Sequence, residues 1–145
     1  MIDKHIMNRK KISTVFLAFC LCLGLIVASS CAKEPGEGGS SKITGKVYVR
    51  EYDPYFTFLI TEYYAPDEDI YIIYGDGVTY NERIRTGPDG DFEFPYLRPG
   101  KYRLYVYSAD STMASQSGDI AVYRDAEITK NKQTVDVGTI VILKN

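Results

Sequence analysis

The stretch TGPDGDFEFPYLRPGKYRLYVYS, residues 86–108, holds two turn motifs and two alternating runs, and it decides the fold class. Gly87–Gly90 carries Pro and Asp between two glycines, which is the composition of a tight turn. Pro99 and Gly100 are the residues that a type II turn requires at its second and third positions. The runs after each turn place apolar side chains at every second position, which predicts two β-strands.

The rest of the chain beyond residue 42 repeats this pattern. Short alternating or apolar runs are separated by Gly-, Asp- and Pro-containing turns, and no window of helix length has an apolar period of 3.6 residues. We therefore predict an all-β domain over residues 42–145, a seven-stranded Greek-key β-sandwich. Asp53–Glu68 is apolar on both faces, which leaves two alternatives, a strand covered on both faces or a long flap over a sheet edge.

The N-terminal segment has a different composition. Four basic residues within Met1–Lys11 precede an apolar run over residues 12–27, and the small residues Ala28, Ser29 and Ser30 follow it. This order is typical of a secretory signal peptide, whose apolar part forms a signal helix. The run is shorter than the roughly 20 residues of a permanent membrane span. We assign residues 1–30 to the signal peptide.

The sequence VASSC, residues 27–31, resembles a bacterial lipobox. The resemblance implies cleavage between Ser30 and Cys31 and attachment of acyl chains such as palmitate to Cys31, which anchor a domain stably when several are present. The alternative is an ordinary signal peptide followed by a free thiol. Residues 31–41 are rich in Gly and Ser and predict a flexible tether after the lipidated cysteine.

The composition excludes several classes of function. The formal net charge is −2 with scattered charges, which argues against nucleic-acid binding. The single histidine, His5, and two of the three cysteines, Cys20 and Cys22, lie in the signal peptide. A Ser-His or Cys-His nucleophile, a zinc site and a disulfide therefore have no residues to form them in the domain. We predict no catalytic residue, no metal and no cofactor other than the lipid on Cys31.

Asp89 and Asp91 flank a glycine in the opening stretch and allow three interpretations. A calcium loop needs about 6 to 8 oxygen ligands, more than this segment offers. Glycoside hydrolysis needs two carboxyl groups in a cleft, one with a raised pKa. The third interpretation is architectural: Asp89 stabilises a turn and Asp91 begins a strand on its solvent side. We favour the third.

The opening stretch and the strand before it contain a recognisable pattern of turn residues and alternating apolar residues. It consists of Thr86, Asp89, Gly90, Phe92, Phe94, Leu97, Pro99, Gly100, Tyr102, Leu104 and Val106, with Gly45 and Val47 upstream. It resembles carboxypeptidase-regulatory-like and transthyretin-like (prealbumin-type) β-sandwich domains. The resemblance implies a sandwich of that type in a structural, adhesive or carbohydrate-binding module, and it leaves the function open.

Two relatives with chemistry can be compared with this chain. Collagen-adhesin B-type domains form a Lys–Asn isopeptide bond with a Glu catalyst. In this chain Val106 stands near the position of that Glu, so the catalyst is missing. Lys46 with Asn131 or Asn145 would be the residues for an uncatalysed bond. Transthyretin-related hydroxyisourate hydrolases use histidines and a C-terminal Tyr-Arg-Gly-Ser. This chain has no histidine after His5 and ends VILKN. We therefore predict that the protein is not an enzyme.

Tyrosine is the remaining unusual feature, with 13 residues in the chain. Tyrosines combine apolar area with a polar tip and are common at binding surfaces, and they are equally common in strands. The candidate binding residues are Tyr48, Tyr63, Tyr64, Tyr105 and Tyr107. We predict a lipid-anchored protein of the bacterial cell envelope, on the outer membrane, that engages another envelope protein. The alternative is a glycan-binding surface lipoprotein that uses the tyrosines.

Overall fold

The computed structural model describes residues 33–145. The predicted signal peptide with its signal helix, the cleavage between Ser30 and Cys31 and the lipidation of Cys31 lie outside the described residues. Glu34–Asn145 is a compact unit with a hydrophobic core of its own. No helix in the part of the chain that the structure describes is long and apolar enough to cross a membrane.

The unit consists of eight strands in two sheets. In chain order they are β1 (Glu37–Tyr52), β2 (Leu59–Tyr64), β3 (Asp69–Tyr74), β4 (Glu82–Arg85), β5 (Asp91–Leu97), β6 (Gly100–Ala109), β7 (Asp119–Ile128) and β8 (Thr134–Lys144). Sheet B has the antiparallel order β4-β3-β6-β7. Sheet A is built around β1, which pairs in parallel with β8 and in antiparallel fashion with β5 and β2. The all-β sandwich is thus confirmed.

The long strand β1 organises sheet A. Its first part, up to Lys46, pairs with β5, and its last part, from Tyr48, pairs with β2. Strand β8 runs along β1 from Lys42 to Glu51. Because a strand has only two edges, β5 and β2 share one edge of β1 and β8 occupies the other. Strand β2 is therefore an outer strand of the sheet.

The core forms where the alternating residues predict it. Ile43, Val47 and Val49 of β1 are fully buried, as are Leu104 and Val106 of β6. A Cβ atom at Gly45 would lie 2.6 Å from the ring of Phe92, so the glycine leaves room for a large aromatic side chain. Burial of apolar side chains from both sheets is the main favourable term in folding such a domain.

The two turn motifs have different outcomes. Gly87–Gly90 is a tight turn, in which the Gly90 N–H donates to the Gly87 carbonyl at 3.0 Å and Gly90 has φ of 70°. The turn is confirmed and Asp91 begins β5 on its exposed side, but the Asp89 side chain makes no hydrogen bond within residues 33–145, so Asp89 does not stabilise the turn as predicted. The type II turn is wrong, because Gly100 has φ of 151° where that turn needs about 80°. The chain at Pro99 instead crosses from sheet A to sheet B.

The predicted number of seven strands is wrong, because Asp53–Glu68 contains an additional strand, β2. Of the two alternatives for this segment, the strand is correct in part: Leu59–Tyr64 is a strand of sheet A, but all six of its residues are exposed rather than covered. The parallel pairing of β1 with β8 was not predicted either. The transthyretin-like type of the sandwich stays a prediction.

The predicted tether, residues 31–41, overlaps the sheet. The Arg98 N–H donates to the Gly36 carbonyl at 2.9 Å, and β1 begins at Glu37. A Cβ atom at Gly39 would overlap the Leu97 carbonyl group, so the glycine permits a close approach of two backbones. Glycines that read as a flexible linker therefore serve strand pairing, and residues 37–41 belong to the sandwich.

Candidate functional site: the tyrosine face and the charged groove

The five tyrosines predicted as a binding surface lie on two sheets. Tyr48 and Tyr64 are cross-strand neighbours on the outer face of sheet A, with ring centroids 5.1 Å apart. Tyr63 pairs with Val49 and therefore points to the other side of β2. Tyr105 and Tyr107 lie on the outer face of sheet B. The structure brings these residues together in pairs and not as one surface.

The larger aromatic cluster is on sheet B. The register places Tyr71 of β3 opposite Tyr105 of β6, and Tyr105 opposite Tyr123 of β7, so three tyrosines form a row across three strands. The rings of Tyr71 and Tyr105 stack at 4.8 Å. Tyr107 and Tyr80 pack edge-on against Tyr71 at 5.7 and 5.1 Å. We call these five residues the tyrosine face.

The residues of the tyrosine face differ in exposure. Tyr105 is 8% exposed because Tyr71, Tyr107 and Tyr123 surround it, whereas Tyr107, Tyr123 and Tyr80 are each about half exposed. Burial, with the neighbouring Tyr107 phenol, raises the pKa of Tyr105 to about 12, so its phenol is neutral at physiological pH. Tyr105 thus supports the rings that a ligand can reach.

A charged groove of about 430 Å³ continues the same face of sheet B. Its charged lining consists of Asp76, Lys101, Arg103, Asp125 and Glu127. Arg103 Nε lies 2.9 Å from Asp125 Oδ1, and the guanidinium lies over the Tyr123 ring, 5.8 Å from its centroid. Arg103 therefore joins the groove to the tyrosine face.

On the opposite side of the tyrosine face, ion pairs form a polar rim. Arg83 and Arg85 of β4 both contact the Asp69 carboxylate, at 3.3 and 3.1 Å, and Arg85 also contacts Asp67. Hydrogen bonds and charge interactions with Asp67 and Asp69 raise the pKa of Arg85 further above its ordinary value. The aromatic rings thus lie between two polar regions that offer both donors and acceptors.

The residues considered for a metal ion and for an isopeptide bond are not arranged for either within residues 33–145. Residues 33–145 contain no group of His, Cys, Asp and Glu side chains that could hold a metal ion. Lys46 donates to the Asp89 carbonyl and lies 4.8 Å from the centroid of the Tyr64 ring, not against an asparagine. Val106, which stands near the position of the isopeptide catalyst, is fully buried in the core.

The sequence analysis missed Tyr71, Tyr80 and Tyr123 as partners of Tyr105 and Tyr107. The signal for Tyr123 lies in the β6–β7 hairpin, whose closing pair is Ala109 and Asp119. Counting back from that pair places Tyr123 opposite Tyr105. Tyr71 joins the row only through the β3–β6 pairing, which no local sequence feature specifies.

A second exposed region surrounds β2. Tyr55, Phe58, Leu59, Ile60, Tyr63 and Tyr64 are exposed by 37 to 78%, and we call them the edge patch. The loop before β2 is fixed by Asp53, whose carboxylate accepts hydrogen bonds from the backbone N–H groups of Tyr55, Thr57 and Phe58. Burial alone would raise the pKa of Asp53, but these hydrogen bonds hold it below its ordinary value. The edge patch is therefore an ordered apolar surface.

Comparison with known proteins gives two similarities. Residues 73–130 match the model of domain II of polysaccharide lyase family 4. This segment is less than half of the chain and includes β4, β5, β6 and β7, with Tyr105, Tyr107, Tyr123 and the whole lining of the charged groove. The solved structure of a proposed carbohydrate-binding protein from Pseudomonas aeruginosa is similar with a TM-score of 0.42 and 11% identity, over 75% of this chain and 91% of that chain. No curated protein sequence matches significantly.

Proposed function

We propose that Glu34–Asn145 is a non-catalytic, glycan-binding module whose contact surface is the tyrosine face with the adjoining charged groove. The observation that carries the proposal is the row of Tyr71, Tyr105 and Tyr123 across three strands, next to a groove lined by carboxylates and cations. The similarity of residues 73–130 to a polysaccharide lyase domain supports it.

The chemistry of the surface suits a sugar chain. The C–H face of a sugar ring packs on an aromatic ring, and half-exposed Tyr107 and Tyr123 offer such rings at low entropic cost. Sugar hydroxyls both donate and accept hydrogen bonds, which Asp76, Lys101 and Glu127 can complete. These three side chains make no hydrogen bond or ion pair within residues 33–145, so they are available to a ligand.

Binding without cleavage is the second part of the proposal. Glycosidic cleavage by the common route needs an acid and a base or nucleophile on either side of the bond. Of the three groove carboxylates, Asp125 is paired with Arg103, and Asp76 and Glu127 are exposed to solvent, whereas a general acid needs a buried or apolar surrounding. No histidine follows His5 to act as a general acid or base.

The test is a glycan array probed with Glu34–Asn145, followed by titration of the best ligand. We expect Tyr123→Ala to weaken binding about tenfold or more, as for an aromatic contact worth about 1–2 kcal/mol. Tyr96→Ala on β5 is the matched control, because Tyr96 is 71% exposed and belongs to sheet A. Equal affinity of the two variants, or no glycan bound, would contradict the proposal.

A second candidate function is a non-enzymatic accessory role beside another envelope protein, which the exposed edge patch favours. In both cases we propose a lipid anchor at Cys31 and a place on the outer membrane of a bacterial envelope. The full chain, expressed with labelled palmitate, should incorporate label, and Cys31→Ala should abolish it. Cys22→Ala is the control within the signal peptide, and label that persists in Cys31→Ala would contradict the anchor.

A further inference from the structure

Strand β2 has one paired edge and one open edge among the described residues. It pairs with β1 alone and ends sheet A. Native edge strands are protected against pairing by charged side chains, above all Lys, by Pro or by β-bulges. Leu59–Tyr64 contains no Lys or Pro, its one charge, Glu62, is paired with Arg50, its bulge lies at the Leu59 end, and all six of its residues are exposed. Such a strand is a template on which another strand can pair.

The direction of the backbone groups on β2 follows from one hydrogen bond. The Ala65 N–H donates to the Val47 carbonyl at 3.0 Å and therefore points toward β1, while the Ala65 carbonyl accepts from the Thr86 hydroxyl. Successive residues of a strand point to alternate edges, and Tyr63 therefore also faces β1, opposite Val49. The N–H and C=O groups of Glu62 and Tyr64 face the open edge.

We propose that the open edge of β2 binds β2 of a second copy of this chain, antiparallel and about a two-fold axis, with Tyr63 opposite Tyr63 of the second copy. In this register Glu62 forms the hydrogen-bonded pair with Tyr64 of the second copy, so the outward-facing groups of Glu62 and Tyr64 are used in each strand. Thr61 then lies opposite Ala65 of the second copy. This inference is independent of the proposed glycan binding.

Neighbouring two-fold registers are less favourable for identifiable reasons. A register centred on Glu62 sets two carboxylates directly opposite each other, and like charges at such positions destabilise. A register centred on Tyr64 sets Glu62 opposite Pro66 of the second copy, which has no N–H to donate. A register centred on Thr61 pairs through Ile60, where the β1–β2 ladder is shifted by a bulge. The register centred on Tyr63 keeps Glu62 away from a second carboxylate and from Pro66, and only Ile60, at the bulge where the ladder ends, lies opposite Pro66 of the second copy.

The side chains support a homotypic contact in this register. Glu62 already pairs with Arg50 at 3.3 Å, which offsets its charge at the interface. Burial and the Glu62 carboxylate raise the pKa of Tyr48, so that phenol stays neutral beside it. On the other side of the sheet the two Tyr63 rings meet, an aromatic pair of the kind that stabilises adjacent strands. The interface is then isologous, as in the commonest class of soluble oligomers.

The register can be tested by crosslinking, because Glu34–Asn145 contains no native cysteine. Residues opposite each other in a non-hydrogen-bonded antiparallel pair have Cα atoms about 4.5 Å apart, which is within the range of a disulfide. Tyr63→Cys should form a covalent dimer under mild oxidation. Tyr96→Cys, equally a tyrosine-to-cysteine change at an exposed strand position, should stay monomeric.

A second pair of variants separates pairing from folding. Glu62→Pro removes an outward-facing N–H that β1 does not use, so the monomer should still fold. The variant should sediment as a monomer, because the dimer needs that N–H. Glu62→Ala removes the ion pair with Arg50 but keeps the N–H, and it should still dimerise. Two results would overturn the proposal. One is a wild-type unit that sediments as a monomer at about 100 μM, a concentration well above the dissociation constant of a specific contact. The other is Tyr63→Cys crosslinking no better than Tyr96→Cys.

Discussion

At the scale of single residues, buried polar groups fix the ends of strands in this protein. The Tyr102 hydroxyl accepts a hydrogen bond from the Gly36 N–H at 3.0 Å and donates one to the Arg98 carbonyl at 2.6 Å. Thr86 does the same for another pair of segments, since its hydroxyl donates to the Ala65 carbonyl and accepts from the Glu68 N–H. Each of these hydroxyls satisfies backbone groups that would otherwise be buried without a partner.

Tyr102→Phe tests this role. The variant keeps the ring in the core but leaves the Gly36 N–H without a partner, so we expect the free energy of unfolding to fall by about 1–2 kcal/mol. The measurement is urea unfolding of Glu34–Asn145. Tyr96→Phe, at a 71% exposed position, should leave the midpoint unchanged, and an equal loss in both variants would contradict the assignment.

Asp110 gives a pH-dependent prediction. Its carboxylate accepts hydrogen bonds from the Thr112 hydroxyl and from the N–H groups of Thr112, Ala114 and Ser115, which lower its pKa below the ordinary value. A carboxyl group whose pKa is lower in the folded state stabilises that state above its unfolded pKa of about 3.9. This stabilisation is lost as the pH falls through the lower, folded pKa.

We therefore expect Asp110→Asn to lower the melting temperature at pH 7 and to reduce the drop in melting temperature between pH 7 and pH 3. Thermal unfolding at both pH values measures the difference. Asp89→Asn is the control, because the Asp89 side chain is exposed and makes no hydrogen bond within residues 33–145. The same response from both variants would show that Asp110 does not contribute to the pH dependence.

At the scale of strands, alternation predicted the buried face wherever a strand lies within a sheet. It identified Val47 and Val49 in β1 and the inward residues of β6, because one side of each strand packs on the core. It failed for β2, which has apolar residues on both sides although all six of its residues are exposed. It also failed for residues 37–41, where glycines that resemble a linker permit close backbone contact with β5.

The sequence likewise predicted those features of the candidate site that depend on one strand alone, and not those that depend on strand order. The alternation in β6 placed Tyr105 and Tyr107 correctly on the outer face, since it depends only on local geometry. Their partner Tyr71 comes from a strand more than thirty residues away, and its position depends on which strands are neighbours in the sheet. Strand order is set by the packing of the whole core, so no local pattern could have supplied it.

The turn between β4 and β5 allows a test of a backbone contact. Gly90 has φ of 70°, and a Cβ atom there would lie 2.6 Å from the Val47 carbonyl oxygen. Gly90→Ala should therefore lower the free energy of unfolding by more than the roughly 1–2 kcal/mol that a left-handed conformation alone costs. Gly118→Ala is the matched control, because Gly118 has φ of 80° and no atom within 4 Å of the added Cβ. Urea unfolding should rank Gly90→Ala as the less stable variant, and the reverse order would contradict the contact.

At the scale of the whole molecule, the sandwich separates its two candidate surfaces. The tyrosine face lies on the outer face of sheet B, and the edge patch lies at the open edge of sheet A. No residue belongs to both surfaces, and the core between the sheets is fixed by close packing. Self-association through β2 therefore leaves both tyrosine faces of a dimer free to bind.

A dimer with two tyrosine faces should bind a long glycan more tightly than a short one, because the second contact is intramolecular and benefits from a high effective concentration. We expect Glu62→Pro to leave the dissociation constant for a short oligosaccharide unchanged and to weaken binding to the polymer by about tenfold or more. Isothermal titration with the oligosaccharide and retention on a polymer column measure the two effects, with Glu62→Ala as the control. Equal loss of both affinities would mean that the open edge of β2 belongs to the glycan site, and no loss of either would mean that the two surfaces act singly.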